Sequence, residues 1–362
     1  MPQYFCCRVI PSGIGDQISQ LARLYNVGRS FGLEYLFQEL PFNRWSPDFD
    51  AWDFLGLGLG ERRVKDFPDH EIVSVDGAAA SYALRDGRSL ASVLPPGTPD
   101  RAIVELVHSD QMYGGGILVP PCHGIDLREK LIKRHGEHVL ATGRSNRLSI
   151  CVHVRQGDCT WVKSGDHHVF LGMRKITSNS QDVDVRRAPK VDAYFPLLDA
   201  IVARLHESPY DLTVYSDGPT NVFPLRPSRC GRILYALARR DERLIDTLRL
   251  NRPGNPLQAF YNPMCDAEVR RGYDRAKDDL QRLAARYEHS SLVIGTGKEL
   301  TAAAILAFAS ADVAVLARNP QVFPLLGLGD PHNQAVLLIA TSIEENIKRL
   351  DHMLARRSPA RP

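Results

Sequence analysis

Short apolar runs of strand length alternate with longer amphipathic stretches along most of this chain, and no other feature limits its fold as strongly. A run at residues 4–10 precedes a helical pattern at residues 16–31, and a second short run follows at residues 34–37. The same order recurs from residue 148 to the C-terminus. Strands that alternate with helices predict an α/β fold in which the sheets are mainly parallel.

The length of 362 residues exceeds what one hydrophobic core usually serves, so we expect two main domains. The polar stretch at residues 135–147 is the candidate linker. We predict a first α/β domain over residues 1–140 and a second over residues 148–340. A C-terminal helix and tail over residues 341–362 complete the prediction.

Composition excludes several classes of protein. With 44% hydrophobic and 24% charged residues, the chain has the make-up of a globular protein. It holds no apolar run of about 18 residues, which excludes a membrane-spanning helix, and its beginning lacks the pattern of a secretory signal. A net charge of +3 is too small to indicate nucleic-acid binding. Seven cysteines without a C-x-x-C pair favour neither a disulfide framework nor a zinc site, so we expect a cytoplasmic protein.

The segment at residues 148–158, Leu-Ser-Ile-Cys-Val-His-Val-Arg-Gln-Gly-Asp, carries the strongest chemical signal. Its apolar and polar residues alternate, which predicts a strand with His153 and Arg155 on one face near its carboxyl end. Ligands of open α/β sheets bind beyond the carboxyl ends of strands. An arginine at such a position can bind a phosphate through two parallel hydrogen bonds. A strand whose polar residues face solvent would produce the same pattern.

Two further segments have the same position after a strand. Gly13 and Gly15 lie in a turn between the first strand and its helix, where a ligand can approach the backbone and the helix N-terminus attracts anions. Ser216 and Asp217 follow another short strand, where Asp217 could bind a ribose or base, or simply close the turn.

Taken together, in this order and spacing, the three segments resemble the fucosyltransferase superfamily. The similarity is greatest to the rhizobial nodulation-type α-1,6-fucosyltransferases, which share an H-x-R-x-G motif matched here at His153, Arg155 and Gly157. The resemblance covers residues 1–40 and 148–327, and ends in a loop that contains Arg318 and Asn319.

This resemblance implies a GT-B-like α/β fold with two Rossmann-like domains that face a central cleft, the first on the acceptor side and the second binding the nucleotide sugar. It implies an inverting, metal-independent transfer of a sugar, usually L-fucose from GDP-fucose, to a glycan or small-molecule hydroxyl. No cofactor is expected besides the donor substrate. The implied nucleotide-sugar site is formed by the following residues: His153, Arg155, Gly13, Gly15, Ser216, Asp217, Arg318 and Asn319.

Two rival interpretations stay open. The family's acidic residue in the helix before the last loop is replaced here by Ala304, which leaves room for a GT-B transferase with another nucleotide sugar. The second rival interpretation is a non-catalytic protein of the same fold that binds a glycan or a nucleotide.

The general base is also open. A base must take the proton of the acceptor hydroxyl, and we assign this role to Asp158, with Asp166, His167 and His168 as other candidates. Asp182 and Asp184 match a D-x-D metal motif but lie in a polar stretch, so no metal site is predicted. Residues 159–190 are long enough for a lid over the site or for a loop without function.

Overall fold

The computed structural model describes most of the chain: residues 1–10, 14–39, 49–109, 112, 126–140, 146–156, 160–171, 175–178, 190–206, 208–218, 228–250, 255–257, 261–295, 298–317 and 333–357. Its residues divide into two compact units. The first consists of Met1–Gly143, Gly297–Ser310 and Pro320–Pro331. The second consists of Arg144–Thr296, Ala311–Asn319 and His332–Pro362.

The first unit is built on four parallel strands in the order β2-β1-β4-β3. Its elements are β1 (Tyr4–Arg8), α1 (Ile14–Ser30), β2 (Glu34–Tyr35), α2 (Ala51–Phe54), β3 (Ile72–Asp76), α3 (Gly77–Arg85), β4 (Ile103–Val107), α4 (Leu127–His135) and α9 (Lys298–Ser310). The central strands β1 and β4 are almost entirely apolar, as expected of strands covered on both faces.

Two features of the first unit were not foreseen in the sequence. β3 and α3 lie in a region where proline and glycine clusters hide the short alternation of buried Val73 and Val75 with exposed residues. Helix α9 contributes Ile305 and Ala309 to the core of this unit, although the predicted boundaries place residues 298–310 in the second domain. The apolar face of a helix can be buried in the core of either unit, and the local sequence does not indicate which of the two cores it packs against.

The second unit contains a five-stranded parallel sheet in the order β10-β9-β5-β11-β12. Its elements are β5 (Leu148–His153), β6 (Trp161–Ser164), β7 (His167–Phe170), β8 (Lys175–Thr177), α5 (Phe195–Leu205), β9 (Tyr210–Ser216), α6 (Arg229–Arg240), α7 (Arg243–Thr247), α8 (Ala267–Ala285), β10 (Ser290–Ile294), β11 (Val313–Leu316), β12 (Ala335–Leu338) and α10 (Ile343–Arg357). The predicted α/β class and parallel pairing are confirmed in both units.

The strand order of the second unit contains a switch point. From β5 the chain proceeds to β9 and then β10 on one side, and afterwards to β11 and β12 on the other side of β5. Loops at the carboxyl ends of the two strands that flank such a point diverge, which leaves a crevice where ligands of open α/β sheets bind. The carboxyl ends of β5 and β11 therefore mark the expected ligand position within this unit.

A small antiparallel sheet, β6-β7-β8, follows β5 and has a core of its own. Val162 and Val169 from this sheet pack with Tyr235 of α6 and Val269 of α8. The described part of residues 159–190 is thus a packed sheet rather than the lid or loop that the sequence suggested. None of the helices within the described ranges is long and apolar enough to cross a membrane.

Candidate functional site

The H-x-R segment lies at the switch point of the second unit. His153 is the last residue of β5 and is in register with Tyr215 of β9 and Leu316 of β11. The backbone N–H of Val154 still donates to the carbonyl oxygen of Tyr215 over 2.9 Å. The side chain of Val154 is fully buried, whereas that of Arg155 is only partly buried. Arg155 therefore follows the end of β5, at the position where ligands of such a sheet bind.

The second segment, after β9, is joined to the first by a hydrogen bond. The backbone N–H of Gln156 donates to Oδ1 of Asp217 over 2.8 Å. Ser216 is buried, and its hydroxyl accepts the backbone N–H of Gly218 over 3.0 Å. Gly218 has a φ of 71°, a conformation that favours glycine. Asp217 thus holds the end of β5, and Ser216 shapes the turn that presents Asp217.

His153 is held in its neutral form. Burial, and then the positive charge of Arg155, lower its pKa to about 4. The hydroxyl of Tyr194 donates to the carbonyl oxygen of His153 over 3.1 Å, which anchors the backbone of the strand end. At neutral pH the imidazole is therefore an uncharged group that can both donate and accept hydrogen bonds.

A cavity of about 880 Å³ opens beside Arg155. Arg155 and Gln156 line one part of it, β6 and residues 190–192 another, and one face of α8 the rest. Its other basic lining residues are Lys163, Lys190, Arg271, Arg275 and Arg282.

The structure brings four of the predicted site residues to one edge of one sheet: His153, Arg155, Ser216 and Asp217. Gly15 lies in α1 of the first unit. Gly13, Asp158, Arg318 and Asn319 fall outside the described residues, as do Asp182 and Asp184. Their roles stay predictions.

The alternative general bases lie in the hairpin formed by β6 and β7. Asp166 is in its turn, His167 Nε2 is 3.8 Å from Glu242 Oε1, and His168 packs edge-on against Trp161. None of the three belongs to the described lining of the cavity. Burial, followed by the charge of Lys163, lowers the pKa of His168.

Sequence reasoning missed the contribution of α8. The face of α8 that carries Arg271 and Arg275 lines the cavity. These residues are four apart and therefore adjacent on the helix surface, a spacing that could have been noticed. The sequence does not show that β6 packs against this helix, because β6 lies more than 100 residues earlier in the chain.

No protein-family model matches the sequence, and no curated protein matches it with statistical significance. Among solved structures, the chain is similar to the crystal structure of NodZ α-1,6-fucosyltransferase soaked with GDP-fucose, with 10% identity and a TM-score of 0.37 over 90% of this chain and 93% of that one. A second match is selenomethionyl fucosyltransferase NodZ from Bradyrhizobium, with 10% identity and a TM-score of 0.38 over 91% and 93%. Likeness at this level assigns neither an activity nor a site residue to this chain.

Proposed function

We propose that this chain is a glycosyltransferase of the GT-B class that uses a nucleotide-sugar donor, with Arg155 as the ligand of the donor's diphosphate. One observation carries the proposal: Arg155 follows the central strand of a parallel sheet at its switch point, beside a large basic cavity. A nucleoside diphosphate is a suitable ligand for this position, because the guanidinium group of an arginine binds phosphate oxygens through parallel charge-assisted hydrogen bonds.

The chemistry follows from the charge that develops when the sugar departs. The bond between the anomeric carbon and the diphosphate oxygen breaks, and negative charge accumulates on the leaving group. A cation already held in place stabilises that charge without reorganisation. The hydrogen bond from Gln156 to Asp217 supports this role, since it holds the backbone next to Arg155.

The remaining parts of the proposal rest on the motif resemblance. We assign His153, Ser216 and Asp217 to the nucleoside side of the donor, with L-fucose of GDP-fucose as the sugar. The neutral imidazole of His153 suits contacts with a base or ribose. Asp158 is our candidate for the base that takes the acceptor proton. The reaction is proposed to be inverting and independent of metal ions, and activity should therefore survive EDTA.

The proposal is tested by titrating GDP, UDP and GDP-fucose into the protein and by measuring GDP release with fucose acceptors. We expect GDP and GDP-fucose to bind, and Arg155→Ala to weaken that binding about 10- to 100-fold, the range of hydrogen bonds to charged groups. Arg147→Ala is the matched control, because Arg147 precedes the opposite end of β5 and pairs with Asp211.

The outcomes separate the rival functions. Binding of UDP in place of GDP would assign another nucleotide sugar to the same site. Nucleotide binding without turnover of any donor would favour the non-catalytic protein. Equal binding by wild type, Arg155→Ala and Arg147→Ala would refute the role of Arg155.

A further inference from the structure

The basic cavity has one wall that the proposed donor site does not use. On α8 the lining residues recur every three or four positions, at 268, 271, 272, 275, 276, 279 and 282, so they form one face of the helix. Strand β6 and residues 190–192 line it as well. Ser216 and Asp217, which we assign to the donor, are not among the lining residues. The described lining thus comes from the segment after β5, from the small sheet, from residues 190–192 and from α8.

Close packing of α8 against β6 keeps this wall in place. A Cβ atom on Gly272 would come within 2.2 Å of Cγ1 of Val162, so only glycine permits the observed approach. The side-chain amide of Gln156 donates to the carbonyl oxygen of Ala276 over 3.1 Å. The helix is thus connected both to the small sheet and to the segment that carries Arg155.

The charges on this cavity do not balance. Its lining contains six basic residues and three acidic ones. The acidic ones are already engaged: Asp192 and Asp279 accept hydrogen bonds from Arg282, and Glu268 accepts the backbone N–H of Gly165.

Four of the basic residues, Lys163, Lys190, Arg271 and Arg275, form no ion pair with a carboxylate of the described chain. Lys190 instead lies over the ring of Trp161, 5.0 Å from its centroid. Arg271 and Arg275 are like charges one helical turn apart, and the acidic residues Glu268 and Asp279 lie one turn before and one turn after them on the same face. The lining still holds three more basic than acidic side chains, which favours a negatively charged ligand.

The size and the aromatic lining point to a sugar chain rather than a simple anion. A volume of about 880 Å³ is at the upper end of ligand pockets and far exceeds the size of one phosphate. Trp161 lines the cavity and is only partly buried. With Lys190 over its ring, the indole offers a sugar an apolar surface next to a charged hydrogen-bond donor.

We infer that this cavity binds an acidic saccharide, one whose sugars carry carboxylate or phosphate groups, and that this saccharide is the acceptor. The inference rests on the proposed function and specifies the substrate class of the same site. The described lining of the cavity belongs to the second unit, so this acceptor position differs from the first-domain position that the motif resemblance implies. The acceptor hydroxyl oxygen forms the new bond to the anomeric carbon and gives its proton to the general base. The nucleoside diphosphate leaves with the electron pair of the broken bond.

The test measures binding of three oligosaccharides of equal length at 150 mM NaCl by calorimetry. Pentagalacturonate carries carboxylates, pentamannose 6-phosphate carries a phosphate, and maltopentaose is neutral. We expect at least one acidic pentasaccharide to bind ten or more times tighter than maltopentaose, and the tighter of the two identifies the anionic group. The double variant Arg271→Gln with Arg275→Gln should weaken that binding at least tenfold.

The matched control is Arg270→Gln with Lys277→Gln, which removes two exposed cations of α8 outside the cavity lining. Its affinity should stay within twofold of wild type. Equal losses in both double variants, equal binding of all three saccharides, or binding of none would overturn the inference.

Titration of GDP and UDP into the same variants separates this inference from the proposed function. Retained nucleotide binding with lost saccharide binding supports the assignment of the cavity to the acceptor. Lost nucleotide binding in the Arg271 and Arg275 variant would assign the cavity to the donor and overturn the inference. A wild-type protein that binds no nucleotide would refute the transferase, while the saccharide titration would still decide the ligand of the cavity.

Discussion

The backbone N–H of Gln156 donates a hydrogen bond to the Asp217 carboxylate over 2.8 Å, across 61 positions of sequence. Gln156 comes directly after Arg155, and Asp217 comes directly after β9. The two segments that the sequence singled out separately are therefore one structural feature, in which a carboxylate holds the backbone beside the candidate phosphate ligand.

Replacement of Asp217 by alanine should destabilise the fold by about 1–3 kcal/mol, because it leaves a partly buried N–H without its charged acceptor. Asp217→Asn retains an acceptor oxygen and should cost less. The measurement is urea unfolding. Asp211→Ala serves as control, since it removes an exposed carboxylate from the same strand and should cost at most about 1 kcal/mol. Equal losses in Asp217→Ala and Asp211→Ala would contradict the role given to this hydrogen bond.

The neutral state of His153 should make the protein less stable in mild acid. Burial and the charge of Arg155 lower the pKa of His153 in the folded chain from 6.5 to about 4. Between these pH values the unfolded chain binds a proton at this residue and the folded chain does not. Between these two values, the contribution of this residue to stability should fall by roughly 1.4 kcal/mol for each pH unit lost.

This pH dependence can be measured by urea unfolding at several pH values from 7 to 4.5. His153→Gln should show a shallower decline than wild type, because glutamine does not titrate. His352→Gln, at an exposed position in α10, should decline as wild type does. Identical slopes in wild type and His153→Gln would show that His153 is not held neutral.

Gly272→Ala should destabilise the protein even though alanine favours helices over glycine by about 1 kcal/mol. The new methyl group would overlap Val162, whose branched side chain has little freedom to move. We expect a net loss of about 1–3 kcal/mol in chemical unfolding, as for other overpacked cores.

The double variant Gly272→Ala with Val162→Ala provides the control. Removal of the two Val162 methyl groups makes room for the new one. The loss of stability in the double variant should therefore be smaller than the sum of the two single losses by about 0.5 kcal/mol or more, as is typical of contacting residues. If the two single losses of stability simply add in the double variant, the new methyl group does not overlap the side chain of Val162.

Asp266 should be a strong determinant of stability for the second unit. Its Oδ1 accepts the backbone N–H of Glu268 over 2.8 Å at the start of α8, and its Oδ2 accepts the hydroxyl of Ser164 over 2.7 Å. Burial acts to raise the pKa of Asp266, but Ser164, the backbone N–H groups and Arg239 together hold it below its usual value.

We expect Asp266→Ala to cost about 2–4 kcal/mol, the sum of a lost helix cap and a lost buried acceptor. Asp266→Asn keeps the capping oxygen and should cost clearly less. Thermal and urea unfolding of both variants measure these losses of stability. Equal destabilisation by alanine and asparagine would indicate that the charge, and not the cap, carries the effect.

Local pattern accounts for the elements that the sequence predicted well. The alternation of apolar and polar residues at 148–154 predicts β5, and the helical pattern at residues 16–31 predicts the region of α1. Such features depend on neighbours within about one turn of helix or a few strand residues, so the sequence carries them directly.

Pairing between distant segments belongs to the tertiary structure. The alternation in β5 does not predict that β9 and β11 flank it, nor that β6, β7 and β8 form an antiparallel sheet that contacts α8 through β6. Gly272 lets α8 approach β6, and both elements line the cavity. The amino-acid sequence alone predicts an α/β chain with an arginine near the carboxyl end of a strand. The packing of α8 and the small sheet decided which charged side chains lie near that arginine. Such contacts join segments that are far apart in the chain, and a local pattern of apolar residues carries no information about them.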